Sequence, residues 1–219
     1  FDEILHYHDW DFCQIQYNYM DTQEQAGDKG YALAESLGVP LVIMEPIKGG
    51  SLANFSEDIN DRFHKMDPDR SVASYALRWV GSHANVKVIL SGMSTMDQVE
   101  DNLKTFQDFS PLSEAEEKEI ESIVTELRSR VQNGCTGCRY CMPCPAGVNI
   151  PGNFKVWNNY HMYRTYDHVK WSWEKELKEE EKAKNCIKCG KCETLCPQKL
   201  SIRDNLVQVQ KDLDERIFK

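Results

Sequence analysis

The run CIKCGKCETLCP, Cys186 to Pro197, reads Cys-x2-Cys-x2-Cys-x3-Cys-Pro, and CTGCRYCMPCP, Cys135 to Pro145, is its partner. Eight of the nine cysteines lie in these two runs. The spacing is that of bacterial iron–sulfur ligation, in which the fourth cysteine serves the other cluster. Cuboidal clusters need soft thiolate donors at four corners, and a Cys-x2-Cys turn brings neighbouring sulfurs to adjacent irons while loop amides face the cluster. Three sulfurs come from one turn and the fourth from elsewhere; the proline after Cys144 and Cys196 turns the chain away from helix there. The expected ligand sets for two 4Fe–4S clusters are Cys135, Cys138, Cys141 with Cys196, and Cys186, Cys189, Cys192 with Cys144. The first run has two residues, not three, between Cys141 and Cys144, which leaves crossed pairing open against pairing within each run.

Two other uses of the cysteines fit the sequence less well. Structural zinc takes four thiolates too, but zinc modules separate their Cys-x2-Cys knuckles by a dozen or more residues. A disulfide framework is disfavoured because four cysteines between 135 and 144 are too crowded for unstrained bridges, and no secretory signal is read at the start. Thiols kept free in such number point to a reducing cytoplasm.

Outward from the cysteines, 219 residues with 41% hydrophobic content accommodate one large or two small domains. A formal charge of -9 argues against nucleic acid or an anionic membrane surface as partner. No apolar run reaches the roughly 20 residues of a membrane span.

Upstream, Phe1, Ile4, Leu5 and His8 sit at helical spacing, and the residues from Phe12 to Tyr17 alternate as a strand does. A helix around Gly30 to Leu37 is closed by Gly38 and Pro40. Leu41 to Met44 reads as a strand buried on both faces, and EPIKGGSL follows it. A helix from Ser71 to Val80 carries a stripe of Val72, Tyr75, Ala76, Trp79 and Val80. Val86 to Leu90 makes a third strand, and Ser94 or Thr95 caps a helix through Phe106 with Gln98 and Asn102 on one face. Alternation of strand and helix implies parallel strands, hence a doubly wound sheet or a barrel. Ser113 and Glu116 form a capping box before Ile120, Ile123, Val124, Leu127 and Val131.

The reading divides the chain into a partial barrel at 1–110, a connecting helix at 111–134 and an iron–sulfur domain at 135–219. Between the cysteine runs, Phe154, Trp157, Tyr160, Trp171 and Trp173 are expected to pack around the clusters. Glu174 with Lys178 and Glu180 with Lys184 are expected to pair along a helix face, and Ile202 to Phe218 to form a last amphipathic helix.

Sites in parallel sheets form beyond the carboxyl ends of the strands, here Gln14 to Asn18, Met44 to Leu52 and Ser91 to Asn102. Lys48-Gly-Gly-Ser51 offers amides and a charge for a phosphate, although glycine pairs after strands are usually plain turns. The histidines His6, His8, His64, His83, His161 and His168 read as surface or packing residues, and Cys13 as a buried small apolar one.

The runs DFCQIQYNYM, VPLVIMEPIKGGSL and VILSGMSTMDQVEDNLKTF resemble, in order, the sixth, seventh and eighth strand–loop units of the aldo-keto reductase family. The cysteine-rich tail resembles the helical ferredoxin-like extension of an iron–sulfur branch of that family. The resemblance implies an α/β fold: the C-terminal part of a (β/α)8 TIM barrel, about three parallel strands, followed by a mostly helical ferredoxin-like domain. It implies an oxidoreductase that reduces a small carbonyl substrate with NADP or NAD, clusters that relay electrons to a redox partner protein, and no nucleic-acid or membrane partner.

By the same resemblance Gln14 holds the nicotinamide carboxamide, and Met44 stands where an aromatic ring often stacks. Glu45, Ile47, Gly49 and Leu52 line the pyrophosphate path, and Ser91, Gly92, Ser94, Gln98, Asp101 and Asn102 form the adenosine site. Asp101 replaces the usual glutamate, Glu45 adds a negative charge, and Ser91 to Met93 lacks the Lys or Arg aimed at a 2′-phosphate. The family's catalytic Asp, Tyr, Lys and His belong to earlier strand units that this sequence does not include, so the N-terminal half of the barrel, or another chain, is expected to cover the open sheet edges. The competing expectation is a ferredoxin-type electron-transfer module whose partial barrel only docks a partner.

Overall fold

The computed structural model describes residues 1–217, except the side chains of residues 167, 168 and 215–217. The expectations for His168 and Phe218 therefore lie outside the described residues. Two compact units are present, Phe1–Thr125 and Glu126–Lys219.

The first unit runs α1 (Asp2–Leu5), β1 (Cys13–Gln16), α2 (Gly27–Ser36), β2 (Leu41–Met44), α3 (Glu57–Met66), α4 (Val72–Gly81), β3 (Val86–Ile89) and α5 (Met96–Gln107), and leads into α6 (Glu114–Ser129). Its three strands lie side by side in sequence order, all parallel. Cys13 pairs with Leu41 and Gln16 with Met44, while Leu41 pairs with Val86 and Ile43 with Ile89 across an irregularity at Leu41/Val42.

Side chains alternate across the pleat. Ile15, Tyr17, Leu41 and Ile43 are buried with Ala34 of α2 and Val80 of α4. Gln14 and Met44, on the opposite face, are exposed. The strand expected to be buried on both faces is thus buried on one: Leu41 and Ile43 are fully inside, whereas Met44 is 38% exposed. Cys13, expected to be buried, is only half-buried.

Local chemistry sets the helix starts. Ser71 accepts from the Ser74 amide at the start of α4, and Thr95 with Gln98 forms a capping box on α5. The Ser113 and Glu116 box is present, and the Glu116 carboxylate also receives Arg78 Nη1 at 2.6 Å. Arg78 is 3% exposed and donates further to the carbonyls of Ser110 and Pro111. Helix α3 escaped the sequence reading, although Ser56 followed by Glu57 and Asp58 and an Ile59/Phe63 pair is its signal.

The second unit holds α7 (Ile150–Tyr163), α8 (Tyr166–Trp171), α9 (Lys191–Leu195) and α10 (Ile202–Gln210). Its core joins Val148, Ile150, Phe154, Trp157, Trp173, Ile202, Leu206 and Val209 to Cys141 and Cys192. Trp157 and Trp173 donate their indole N–H groups to Asp212 at 2.9 Å and Asp214 at 2.7 Å, which is how a buried tryptophan satisfies its polar atom. Trp171, expected in this core, is 55% exposed.

Residues 172–185 are short π and 3-10 turns, so the expected pairs at a spacing of four do not form; Glu179 instead binds Lys182 and Lys184. The last helix passes into a π segment at Lys211–Ile217.

Candidate metal centre and strand-end site

The two cysteine runs fold as the same backbone twice. In the first, Gly137 and Arg139 are left-handed, with φ of 70° and 65°; in the second, Lys188 and Gly190 occupy the matching places with φ of 55° and 81°. The Met142 amide donates to the Arg139 carbonyl as the Glu193 amide does to Gly190. After each fourth cysteine the repeat continues as Cys144-Pro-Ala-Gly-Val-Asn-Ile150 and Cys196-Pro-Gln-Lys-Leu-Ser-Ile202. Gly147 and Lys199 are both left-handed, and their amides donate to Cys144 and Cys196 at 3.0 and 3.1 Å. Asn149 and Ser201 then precede α7 and α10, with Asn149 accepting from the Gly152 amide at 3.2 Å.

This duplication was missed in the sequence reading, yet Cys-Pro-x-x-apolar-Asn/Ser-Ile occurs twice and was its signal. The one-residue difference in cysteine spacing sits where the second run forms α9 and the first only turns; there the Met142–Pro143 bond is cis.

The repeat creates two hollows of nearly equal size. The first is lined by Cys135, Cys138, Cys141 and Cys196, with Ile150, Phe154 and Pro197 among its walls. The second is lined by Cys144, Cys186, Cys189 and Cys192, with Cys141, Pro145 and Leu206 beside them. The first hollow therefore gathers three cysteines of one run and the fourth of the other, and the second gathers the converse set together with Cys141, which lines both.

Cys138 and Cys189 are exposed, and Cys141 and Cys192 are buried. Burial pushes the Cys141 thiol above its ordinary range, and the crowding of Cys135, Cys138 and Cys196 adds to this. Burial likewise raises Cys192. Four thiolates in one apolar hollow repel one another, so positively charged metal is what makes such a set favourable. Left-handed turns aim successive amides into a concavity, a feature of iron–sulfur sites. Soft thiol donors and largely apolar walls, with Arg139 at the first hollow and Lys188 and Arg203 at the second, fit an anionic iron–sulfur cluster. Among the described residues no three Cys, His, Asp or Glu converge closely enough to share a single ion.

Gln14, in the first half of β1, meets Met44 at the carboxyl end of β2: Gln14 Nε2 lies 3.3 Å from Met44 Sδ. Glu45 is exposed and left-handed, and its carbonyl accepts from Asn18 at 3.0 Å. Ile47 is half-buried and Gly49 is left-handed with φ of 60°. Leu52 is fully buried, and its amide donates to Ile47 at 3.1 Å. Ser91 accepts from Asn102 at 3.0 Å, and Gly92 has open space about it. Gln98 Oε1 accepts from the Ser94 amide at 2.7 Å, and Asp101 accepts from Ser71 Oγ at 2.6 Å.

Lys48, read as a charge for phosphate, instead grips both carboxylate oxygens of buried Asp21 at 2.6 Å. Gln16 and Asn18 donate to the same carboxylate. No feature of the sequence announced this network, because its members are brought together across strand ends. His83 packs with Tyr17, Tyr31 and Trp79, in keeping with a packing role.

Residues 3–125 match the aldo/keto reductase family model, and residues 134–200 match a 4Fe–4S dicluster domain. Among solved structures, the aldo-keto reductase AKR11C1 from Bacillus halodurans is similar in its apo and holo forms, at 23% and 22% identity with TM-scores of 0.44 and 0.43. The matches cover 55% of this chain and 45% and 44% of those chains, so this sequence spans less than half of that reductase. No curated protein matches. No helix among the described residues is long and apolar enough to cross a membrane. The chain belongs to the aldo/keto reductase family, as part of a (β/α) barrel followed by a helical iron–sulfur domain.

Proposed function

We propose that this chain is the carboxyl-terminal part of an oxidoreductase in which two 4Fe–4S clusters serve electron transfer beside a nicotinamide-dependent carbonyl reductase barrel. The observation that carries the reading is that Cys196 joins Cys135, Cys138 and Cys141 around one hollow while Cys144 joins Cys186, Cys189 and Cys192 around the other, with Cys141 on the wall between them. Cys135, Cys138, Cys141 and Cys196 would hold one cluster, and Cys144, Cys186, Cys189 and Cys192 the other. When bound, the clusters supply one-electron chemistry. The chain's own part is to fix the thiolates, point amides at them and exclude water with Ile150, Phe154 and Leu206.

Gln14 and Met44 are proposed to receive the nicotinamide of NADP or NAD. Glu45, Ile47, Gly49 and Leu52 would follow the pyrophosphate, with Ser91, Gly92, Ser94, Gln98, Asp101 and Asn102 at the adenosine. The exposed sheet face with Met44, Val88 and Leu90 supports pairing with the N-terminal barrel half.

One observation favours the second reading, a docking module that binds no nucleotide: Lys48 is neutralised by Asp21, leaving Glu45 as the exposed charge beside it. Iron and acid-labile sulfide on anaerobically prepared protein test the first part, with two clusters giving about eight of each per chain. Titration of barrel-complete protein with NADPH and NADH tests the second. Binding with quenching on Gln14→Ala supports the barrel reading, and absence of binding with redox-active clusters leaves the docking module.

A further inference from the structure

The stretch from Lys182 to Lys211 carries seven Lys or Arg against Glu193 and Asp204, in a chain of formal charge -9. Four of those cations line one groove of about 250 Å³: Lys184, Lys188, Arg203 and Lys211, with Leu206 and the 44%-exposed Val207. Cys186, Lys188, Arg203 and Leu206 line both this groove and the second cysteine hollow. Arg203 is held by Glu193 at 2.7 Å and Lys184 by Glu179, with Asp214 also close enough to act on Lys184, but none of these carboxylates lines the groove. Lys188 and Lys211 form no ion pair among the described residues.

We infer that this groove is the docking site of an acidic electron-transfer protein. The inference rests on the reading that the hollows hold redox clusters, and it names the surface and the charge of the partner. An apolar centre ringed by cations suits a small, transient contact, in which charge steers encounter and a modest apolar patch seats the partner. The shared wall places such a partner against Cys186, a proposed ligand, so the electron's path is short. Nucleic acid is the weaker occupant, because the groove offers no aromatic platform for bases and the chain as a whole is acidic.

The test uses dithionite-reduced acidic ferredoxin as the probe, mixed anaerobically in stopped flow with the oxidised, cluster-loaded chain. The expected second-order rate falls steeply as salt rises. Lys184→Glu with Lys211→Glu lowers it about tenfold at low salt and flattens the salt dependence. Lys184→Gln with Lys211→Gln falls between. Both residues lie outside the cysteine runs, so iron content, the EPR spectrum of the reduced clusters and reduction by methyl viologen radical stay unchanged in either variant. A rate unaffected by charge reversal, with clusters intact, overturns the docking site. So does tight binding of single-stranded oligothymidylate without electron exchange with the ferredoxin. Absence of iron from the unaltered chain instead overturns the cluster reading on which the inference stands.

Discussion

Crossed ligation can be decided with two double variants. Cys138 pairs in the structure with the hollow that also contains Cys196, whereas Cys144 lines the other. Cys138→Ala with Cys196→Ala therefore removes two of four thiolates from the first hollow and none from the second. About four of eight irons should remain per chain, with an undisturbed EPR signal from the surviving cluster. Cys138→Ala with Cys144→Ala removes one thiolate from each hollow, so both clusters are damaged and iron falls well below four. Cys138 is exposed and Cys196 and Cys144 are half-buried, so no large core cavity confounds the comparison. Anaerobic reconstitution followed by iron, sulfide and EPR quantitation reads the result. The reverse pattern, with four irons kept by the Cys138/Cys144 pair of changes and lost by the Cys138/Cys196 pair, would refute the assignment and return each cluster to its own run.

Arg78→Met should destabilise the first unit by about 3–5 kcal/mol in urea unfolding, because it strands the Glu116 carboxylate and the Ser110 and Pro111 carbonyls; adding Glu116→Gln should recover part of the loss. Burial favours the neutral form of Glu116, but Arg78 and Ser113 outweigh it and hold the carboxyl at about 2. A lowered folded value means that this contribution is complete above the ordinary 4.5 and is lost as pH falls through about 2. Solvent access reduces it to about 1–2 kcal/mol, and Glu116→Gln should flatten the acid limb of stability by that amount. Asn149→Ala should cost the second unit about 1 kcal/mol in thermal unfolding through loss of the α7 cap; an unchanged transition would show that the loop after Cys144 is fixed by other contacts.

What the sequence determined by itself was local. Cysteine spacing announced the metal chemistry, since ligands from one turn must be close in sequence. The Leu41–Met44 and Val86–Ile89 strands and the Thr95 and Ser113 caps were legible because propensity and capping act within a few residues. The proline after each fourth cysteine already led to the expectation that Cys144 and Cys196 change sides, and the uneven spacing of the first run left it open; only the tertiary structure shows Cys196 lining the first hollow and Cys144 the second. It also decided that Lys48 is spent on Asp21 and Asp101 on Ser71, contacts spanning 27 and 30 residues that no periodicity encodes. Burial of one face of β2 was likewise a matter of neighbours. A run of four apolar residues records what it can bury, and only the strands and helices packed around it settle which side is covered.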